Sequence, residues 1–358
     1  MSEEVATAER NGGSTDPGRL SRFTADVFVH LGMSDEDAGL LADYFVWVEL
    51  HGVPAMGVRR IPEFVDRLRH GGTRCGGVAD SKIVRDHPAF AVVDAQDTFA
   101  QLAGHRAMQI AVGKARATGL GAVSVRNTTT AGVVGYYSAL AAEQQMIGLV
   151  VNNSAPVMAA YGAAERTLGV QALSMASPAG EHPPLLLDMT NSAMSMARMY
   201  EHQLRREQLP GNVALSADGT PTIDPEAGHA GILLPMAGHR GYGLALMWEV
   251  LVGVLAGGQH FGNDVRWPSE HALPSGNSLF VLAVDPAAAL PYETFTGRVD
   301  TLIDRMHDAR PAAGVDRVLV PGERSQIAAR ARRREGIVVP DDVVASLVAL
   351  GSELGVAW

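Results

Sequence analysis

The chain has 358 residues, a length that suggests about two domains, each able to bury a hydrophobic core. It carries 29 basic and 39 acidic residues, a net charge of −10, which argues against nonspecific nucleic-acid binding through a basic surface. Hydrophobic residues make up 47% and charged residues 19%, which excludes a largely disordered chain. The single cysteine, Cys75, excludes an intramolecular disulfide and is compatible with a reducing cytoplasm.

The sequence shows neither a targeting signal nor a membrane span. Residues 1–18 are polar and acidic without an apolar segment, so we expect a disordered tail. The longest apolar run, 242–256, carries Glu249 and falls short of the roughly 20 uncharged residues that a span requires. We therefore predict a cytoplasmic protein, with this run as a helix of the core or of a dimer interface.

Helical signals dominate the N-terminal part of the chain. Ser34 precedes an acidic turn and an apolar-periodic stretch at 40–50, a pattern typical of an N-capped helix. A second stretch, 58–68, is amphipathic and ends at Gly71, which indicates another short helix.

Strand-like and helical patterns alternate through the rest of the chain. Strands are predicted at 90–93, 122–125, 147–151, 185–187 and 279–284. Helices are predicted at 101–118, 134–145, 242–255 and 343–354, the last of them capped by Asp341. Stretches rich in glycine, proline and asparagine predict long surface loops at 210–229 and 257–277. The alternation predicts an α+β or mixed α/β fold with a helical cap.

Common motifs of nucleotide and hydrolase sites are missing from the sequence. It has no Walker A, HExxH or GxSxG pattern, and no His, Asp and Glu spacing predicts a metal site. The dinucleotide fingerprint follows a strand, whereas Gly119 and Gly121 precede one and read as a helix C-cap and turn. Any nicotinamide coenzyme therefore requires a fold other than the Rossmann fold.

Several stretches, in a fixed order and spacing, carry a resemblance to a known family. They are 53–62 (VPAMGVRRIP), 125–137 (VRNTTTAGVVGYY), 152–169 (NNSAPVMAAYGAAERTLG), 187–192 (LDMTNS), 218–225 (DGTPTIDP), 234–246 (LPMAGHRGYGLAL) and 321–323 (PGE). From about residue 45 to 325 the chain resembles the malate/L-lactate dehydrogenase family that lacks a Rossmann fold. Ureidoglycolate dehydrogenase, diketogulonate reductase, sulfolactate dehydrogenase and Δ1-piperideine-2-carboxylate reductase belong to the same family.

The resemblance implies a homodimer of subunits with two structural parts. One is a helical domain, placed at 19–85 together with 325–358. The other is a non-Rossmann NAD(P)-binding domain with a largely antiparallel sheet, placed at 86–235. Residues 236–324 are assigned to a helix-rich segment that completes the core and the dimer interface.

Two histidines of the family are replaced in this sequence. The family motif Ser-His-Gly-Val-x-Arg corresponds here to a stretch with Met56 at the histidine and Arg60 at the arginine, which in the family holds the substrate carboxylate. The histidine of Ser-Asn-His-Phe-Gly, the family's general acid/base, is replaced by Thr130. Asp188 of the LDM motif is unchanged. The chain is thus identified as a divergent member that lacks both active-site histidines.

The resemblance also implies the residues that bind NADH or NADPH, without separating the two coenzymes. The family's Thr-Asn-Pro stretch is altered here, and the lysine of its Gly-x-Lys-Gly-Tyr-Gly loop is an arginine at the start of a helix, where a phosphate can bind. The implied coenzyme residues are Gly132, Val170, Gln171, Ala172, His239, Arg240, Pro321 and Gly322.

Replacing an imidazole by a hydroxyl changes the proton chemistry. Histidine, with a pKa near 6.5, both donates and accepts protons at neutral pH, whereas the Thr130 hydroxyl only donates a hydrogen bond. Loss of a positioned general acid lowers a rate by on the order of 10²–10⁴. Efficient oxidation of 2-hydroxy acids is therefore not expected.

Three hypotheses about function remain open. The first is reduction of a C=N bond beside a carboxylate, with Arg60 as the anchor and Thr130 as a hydrogen-bond donor. The second is reduction of a 2-keto acid, in which water, Tyr136, Tyr137 or His51 supplies the proton. The third is a non-redox enzyme or a catalytically silent ligand-binding protein on the same fold.

Each catalytic candidate also has a purely structural interpretation. Arg60 can pair with Glu63 at helical spacing, and Thr130 can cap the following helix. Met56 can pack in the core, and Asp188 can cap the next segment. The sequence alone leaves both interpretations open at each position.

Overall fold

Helices flank a central β-sheet in the computed structural model, which describes residues 12–77 and 80–358. The helices of these ranges are α1 (Pro17–His30), α2 (Asp35–Leu50), α3 (Ile61–His70), α4 (Ala100–Thr118), α5 (Gly135–Glu143), α6 (Met196–Arg205), α7 (Pro225–Ala230), α8 (His239–Glu249), α9 (Tyr292–His307), α10 (Glu323–Glu335) and α11 (Asp341–Leu354). The strands are β1 (Ser14–Thr15), β2 (Lys82–Asp86), β3 (Phe90–Asp94), β4 (Leu120–Thr128), β5 (Ile147–Asn152), β6 (Leu173–Ser177), β7 (Leu185–Met189), β8 (Ala214–Leu215), β9 (Pro221–Thr222), β10 (Ile232–Leu233), β11 (Asn277–Val284) and β12 (Ile337–Val338). None of these described helices is long and apolar enough to cross a membrane.

Seven strands form the main sheet, in the spatial order β2-β3-β4-β11-β5-β6-β7. Every neighbouring pair is antiparallel except β3 and β4, so the predicted largely antiparallel sheet is confirmed. The strands at the centre are mostly apolar and buried, which is typical of a sheet covered on both faces. The predicted mixed α and β architecture is confirmed as well.

Helices pack on both faces of this sheet. On one face α4 comes so close to β4 that a Cβ at Gly121 would lie 2.0 Å from the carbonyl oxygen of Ala111. The alanine-rich sequence of α4 allows this short distance. On the other face, Phe280 and Val151 pack with Val252, in the π-helical turn Val250–Val254 that continues α8.

One hydrophobic cluster joins the N-terminal helices to the sheet. Phe64 of α3 stacks on Phe99 at the start of α4, with ring centroids 4.9 Å apart, and the same cluster includes Val123 of β4. The predicted helical domain (19–85 with 325–358) and the predicted coenzyme domain (86–235) therefore share a core. The boundary between them stays a prediction.

The predicted disordered tail at 1–18 is too long. β1 pairs with β12, and Asp16 caps α1 by accepting a hydrogen bond from the Arg19 N–H at 2.8 Å. The polar composition of residues 1–18 does not indicate that α1 begins there, because the buried face of this helix begins only at Leu20. Residues 1–11 lie outside the described ranges.

All the predicted strands are present, within β3, β4, β5, β7 and β11. β2 and β6 were not predicted, because β2 is exposed along its length and β6 consists mainly of small and polar residues. The loop predicted at 210–229 instead contains β8, β9 and α7. Pro340, not Asp341, occupies the cap of α11, because its extended backbone leads directly into a helix that starts at Asp341.

The predicted loop at 257–277 is confirmed as mostly irregular, and a buried arginine holds it in place. The buried guanidinium group of Arg67 donates hydrogen bonds to the carbonyl groups of Pro268 and Leu273 and to the Ser275 hydroxyl. A buried arginine of this kind stabilises a long loop because its donors pair with carbonyl groups that no strand or helix satisfies.

Candidate active site

The loop after β4, residues 129–134, packs against Tyr44 of α2. Tyr44 is buried, and its hydroxyl oxygen accepts a hydrogen bond from the Val133 N–H at 2.8 Å. Gly132 has a φ of +70°, and a Cβ at this position would lie 1.9 Å from the same hydroxyl. Close approach and backbone conformation therefore both require glycine at 132.

Three consecutive threonines at the end of β4 have different roles. The Thr128 hydroxyl donates to the Thr98 carbonyl at 2.7 Å, and the Thr129 hydroxyl accepts from the N–H of Ala100, the first residue of α4. The predicted capping role of Thr130 is wrong, because α5 has no side-chain cap and Thr129 is the residue that meets a helix start. The half-buried Thr130 hydroxyl has no hydrogen-bond partner among the described residues.

The same loop is held through its carbonyl groups. Those of Thr130 and Ala131 accept hydrogen bonds from Gln101 Nε2 at 3.3 and 3.2 Å, and that of Ala131 also accepts from the Tyr137 hydroxyl at 2.7 Å. Within 12–77 and 80–358, the peptide N–H groups of Thr130, Ala131 and Gly132 donate to no other residue. Because Ala131 is fully buried, only the N–H groups of the half-buried Thr130 and Gly132 are candidates for binding an anionic ligand.

Asp188 connects β7 to the start of α5. Its Oδ2 accepts a hydrogen bond from the Gly135 N–H at 2.8 Å, and a Cβ at Gly135 would lie 2.8 Å from the same oxygen. The predicted cap of the segment after Asp188 is wrong, because Ser195 caps the next helix and the Asp188 carboxylate instead bonds the first N–H of α5, which precedes it in the chain. The residue is partly open to solvent, yet burial among the surrounding atoms raises the pKa of its carboxyl group to about 6, against the lowering effect of the Gly135 N–H.

Arg60 lies in the 3₁₀ turn Val58–Arg60, directly before α3. Its Nη2 contacts both carboxylate oxygens of Glu63, at 2.7 and 2.9 Å, so the predicted pairing is confirmed. The side chain is about one-third exposed, and its Nε and Nη1 donate to no described residue. Burial raises the pKa of Tyr44, hydrogen bonds with Val133 and Gln101 lower it, and the smaller effects of the Asp188 and Arg60 charges oppose each other.

Met56 lies in a second 3₁₀ turn, Pro54–Met56, and its partly buried side chain packs against the main hydrophobic cluster. The predicted packing role is therefore confirmed. Both turns are attached to α2, because the Val58 N–H donates to the Glu49 carboxylate at 2.9 Å. Since α2 also carries Tyr44, the first family motif and the loop after β4 contact the same helix.

The implied coenzyme stretch, residues 170–172, is held by polar side chains. The Val170 N–H donates to the Ser154 hydroxyl at 3.1 Å. Asn191 donates to the Val170 carbonyl group from its N–H at 3.0 Å and to the Gln171 carbonyl group from its Nδ2 at 2.6 Å. The Ala172 carbonyl group accepts from the Asn152 N–H at 3.1 Å. We call these three residues the 170–172 segment.

Of the other implied coenzyme residues, Pro321 and Gly322 contact β7, whereas His239 and Arg240 follow a loop that bonds Asn191. The N–H of Met236, in the loop before α8, donates to the Asn191 carbonyl group at 2.8 Å, and α8 then begins with the exposed His239 and Arg240. Pro321 accepts a hydrogen bond from the N–H of Leu186 at 3.1 Å. Gly322 has a φ of +87°, and a Cβ there would lie 2.8 Å from the Leu186 side chain.

The structure does not favour the alternative proton donors. The Tyr137 hydroxyl is buried and donates to the Ala131 carbonyl group, and burial raises the pKa values of both Tyr136 and Tyr137. His51 stacks on Trp47, with ring centroids 3.8 Å apart, in a cavity of about 220 Å³ that Arg330 and Arg333 also line. Neither Thr130 nor Asp188 lines that cavity.

Sequence reasoning missed the residues that assemble the site, namely Tyr44, Gln101 and Asn191. Tyr44 looks like an ordinary apolar position of a predicted helix, and Gln101 carries no local signal. Asn191 lies within the LDMTNS motif, but no local signal distinguishes it from its neighbours. Their contacts join segments far apart in the chain, which no local pattern reveals.

Comparisons with known proteins cover nearly the whole chain. A profile of the malate/L-lactate dehydrogenase family matches residues 16–348. The L-sulfolactate dehydrogenase of Methanocaldococcus jannaschii is 32% identical over 339 residues, 95% of this chain and 96% of that protein. The solved structure of sulfolactate dehydrogenase from this organism has a TM-score of 0.90 at 31% identity, covering 96% of this chain and 98% of that chain.

Two further proteins extend the range of relatives. The ureidoglycolate dehydrogenase (NAD(+)) of Escherichia coli strain K12 is 28% identical over 331 residues, 92% of this chain and 93% of that protein. The solved structure of Δ1-piperideine-2-carboxylate reductase from Pseudomonas syringae has a TM-score of 0.84 at 25% identity, covering 94% of this chain and 99% of that chain.

The raised pKa of Asp188 predicts a pH-dependent effect on stability. Its value of about 6 in the folded chain exceeds the ordinary 3.8, so ionisation of this carboxyl group opposes folding as the pH rises through that window. Asp188→Asn keeps an oxygen acceptor for the Gly135 N–H without the charge. At pH 8 we expect its melting temperature to exceed that of the parent by on the order of 2 °C, allowing for solvent screening.

Thermal melts between pH 5 and pH 8 test this expectation, because the advantage of Asp188→Asn should shrink toward pH 5. Asp218→Asn is the matched control. Hydrogen bonds from Ser216 and Thr220 lower the pKa of the exposed Asp218 to about 2, so removing its charge should give no increase. A lower melting temperature for Asp188→Asn at pH 8 would contradict the account.

Proposed function

Because this chain belongs to the malate/L-lactate dehydrogenase family, we propose that it is an NAD(P)-dependent oxidoreductase that reduces a C=N or C=O bond beside a carboxylate. One observation carries the proposal. Among the described residues, the Thr130 hydroxyl and the N–H groups of Thr130 and Gly132 lack partners in a loop packed on Tyr44, and the charges of Asp188 and Arg60 both affect the pKa of that tyrosine.

The residues of the loop after β4 fit a nicotinamide coenzyme. The N–H groups of Thr130 and Gly132 donate to no described residue, and such groups suit negatively charged or carbonyl oxygens. The exposed Arg240 at the start of α8 supplies a cation suited to a phosphate. The coenzyme, NADH or NADPH, supplies a hydride when bound. A named NAD(+) dehydrogenase among the relatives supports this assignment.

Arg60 and Thr130 are the proposed substrate contacts. Arg60 keeps Nε and Nη1 available while Nη2 is paired with Glu63, so one side of the guanidinium group can hold a carboxylate. An imine that binds already protonated needs no further proton at nitrogen, and the Thr130 hydroxyl then has only to orient it. A piperideine-carboxylate reductase among the structural relatives supports the C=N substrate.

A 2-keto acid is the second candidate substrate, and Asp188 favours it. Reduction of a C=O bond requires a proton on the developing alkoxide, in addition to hydride at carbon. Asp188, with a pKa of about 6 and access to solvent, is suited to donate that proton near neutral pH. The non-redox alternative rests on the replacement of both family histidines by Met56 and Thr130.

Restoring the two histidines of the family tests whether proton supply limits the reduction of keto acids. We expect Met56→His combined with Thr130→His to raise the kcat for pyruvate or oxaloacetate reduction by on the order of 10²–10⁴, since a positioned general acid contributes about that factor. Reduction of a cyclic imine carboxylate should change far less. Initial rates of NADH and NADPH oxidation on both substrate classes measure the difference.

The single variant Thr129→Ser is the matched control, because it keeps the hydroxyl that meets the start of α4. It should leave both substrate activities near those of the parent. If the double histidine variant binds coenzyme yet gains no keto-acid activity, the missing imidazoles are not what limits this chemistry.

We also propose that the chain forms a homodimer through the outer face of α8 and the π-helical turn after it. This face exposes several large apolar side chains, namely Leu246, Met247, Val250, Val254 and Leu255. Contiguous apolar patches of this kind mark interaction surfaces. The family resemblance, which implies a homodimer, supports a second copy of this chain as the partner.

Met247, at 64% exposure, is the best position for testing the dimer. We expect a dimer of the parent chain at micromolar concentration and a monomer for Met247→Glu, because an unpaired charge in an apolar interface opposes association. Light scattering after size exclusion measures the mass. Leu204→Glu, at a position 66% exposed on α6, is the matched control and should stay dimeric. A monomeric parent would overturn the proposal.

A further inference from the structure

Glu249, the last residue of α8, is a buried carboxylate that the proposed chemistry does not use. It is only 4% exposed and forms no ion pair with a described lysine, arginine or histidine. Neutral groups surround it instead. Its Oε1 accepts from the Gly262 N–H at 2.6 Å and from Asn153 Nδ2 at 3.5 Å, and its Oε2 accepts from Gln171 Nε2 at 2.9 Å. Burying an uncompensated charge is unfavourable, so these donors are essential.

The backbone around Glu249 is adapted to this carboxylate. The turn that follows it, Val250–Val254, is π-helical, an uncommon conformation that is frequent at functional sites. Within this turn, a Cβ at Gly253 would lie 2.2 Å from Glu249 Oε1. The space for the carboxylate therefore depends on a glycine one helical turn later.

The hydrogen-bond partner of Glu249 lies in the proposed coenzyme cleft. Gln171 is fully buried and has a φ of +39°, in a region that residues other than glycine rarely adopt. Asn191 holds the carbonyl groups of Val170 and Gln171, and the Gln171 side chain reaches Glu249. The unusual backbone conformation is thus fixed both through the main chain and through one buried side chain.

Helix α8 contacts the 170–172 segment at two places. Its N-terminal loop is connected through the Met236 N–H to Asn191, and its last residue is connected directly to Gln171. We propose that Glu249 is a positioning residue of the coenzyme cleft, which fixes the backbone of the 170–172 segment by holding the Gln171 side chain. This inference rests on the proposed coenzyme site and extends it to a residue buried beneath the cleft.

The side-chain amide groups of Gln171 and of a glutamine introduced at 249 predict which replacement of Glu249 is tolerated. Gln171 Oε1 is buried and has no partner among the described residues, so a rotated Gln171 amide can accept a hydrogen bond from a glutamine at 249, which moves only its Nε2 to the position without a partner. Glu249→Gln also keeps an oxygen for the Gly262 N–H. Glu249→Ala instead leaves the Gly262 N–H and Gln171 Nε2 unpaired, and unsatisfied buried donors are strongly unfavourable.

Hydrogen exchange of the protein without coenzyme tests the positioning directly. We expect the peptide covering 168–176 to exchange about tenfold faster in Glu249→Ala than in the parent, and at nearly the parent rate in Glu249→Gln. Gln171→Leu should reproduce the effect of Glu249→Ala without altering α8. Glu201→Ala, on the exposed face of α6, is the matched control and should match the parent.

Titration with NADH and NADPH completes the experiment. Glu249→Ala and Gln171→Leu should each raise the coenzyme Kd about tenfold, whereas the Kd of Glu249→Gln should stay within about threefold of the parent. The double variant Glu249→Ala with Gln171→Leu should bind no more weakly than either single variant, because both changes remove the same hydrogen bond. Parent-like exchange of 168–176 in folded Glu249→Ala and Gln171→Leu would overturn the inference. Faster exchange together with a parent chain that binds neither coenzyme would support the positioning role and reject the proposed function instead.

Discussion

The edge strand β7 and the residues just after it connect four separate segments of the candidate site. Leu186 bonds Pro321 through its main chain, Asp188 caps α5, and Asn191 joins the 170–172 segment to the loop before α8. Leu186 and Asp188 lie on the same face of the strand, about 7 Å apart. Segments from four distant parts of the chain are thus connected to six consecutive residues at the edge of the sheet.

The polar groups of the proposed site define what it can do. Arg60 has N–H groups that donate to no described residue, Asp188 has a carboxyl group with a raised pKa, and Thr130 has a hydroxyl group without a partner in the described ranges. In the proposed function this set binds a carboxylate and orients a polar double bond, and its capacity to move a proton rests on Asp188. Proton supply therefore separates the two candidate substrates, since a protonated imine needs only hydride and a keto acid needs both.

Local patterns predicted the central strands and the Arg60–Glu63 pair, because apolar runs and i, i+3 spacing are properties of neighbouring residues. They missed α9, whose sequence mixes charged and apolar residues, and they extended the tail past the cap of α1. The sequence also could not place Thr129, rather than Thr130, against the start of α4. Which threonine meets α4 depends on how β4 and α4 pack, and only the folded chain shows this packing. The same holds for the contact of Gly132 with Tyr44.

The central claim is that this cleft holds a nicotinamide coenzyme without either family histidine. Titration of the purified protein with NADH and NADPH, followed by fluorescence quenching and by thermal melts, tests it most directly. The account predicts saturable micromolar binding of at least one coenzyme, and roughly 2–3 kcal/mol of added stability at a hundredfold excess over Kd. Absence of quenching and of any melting shift with both coenzymes would contradict it and leave a non-redox ligand as the occupant.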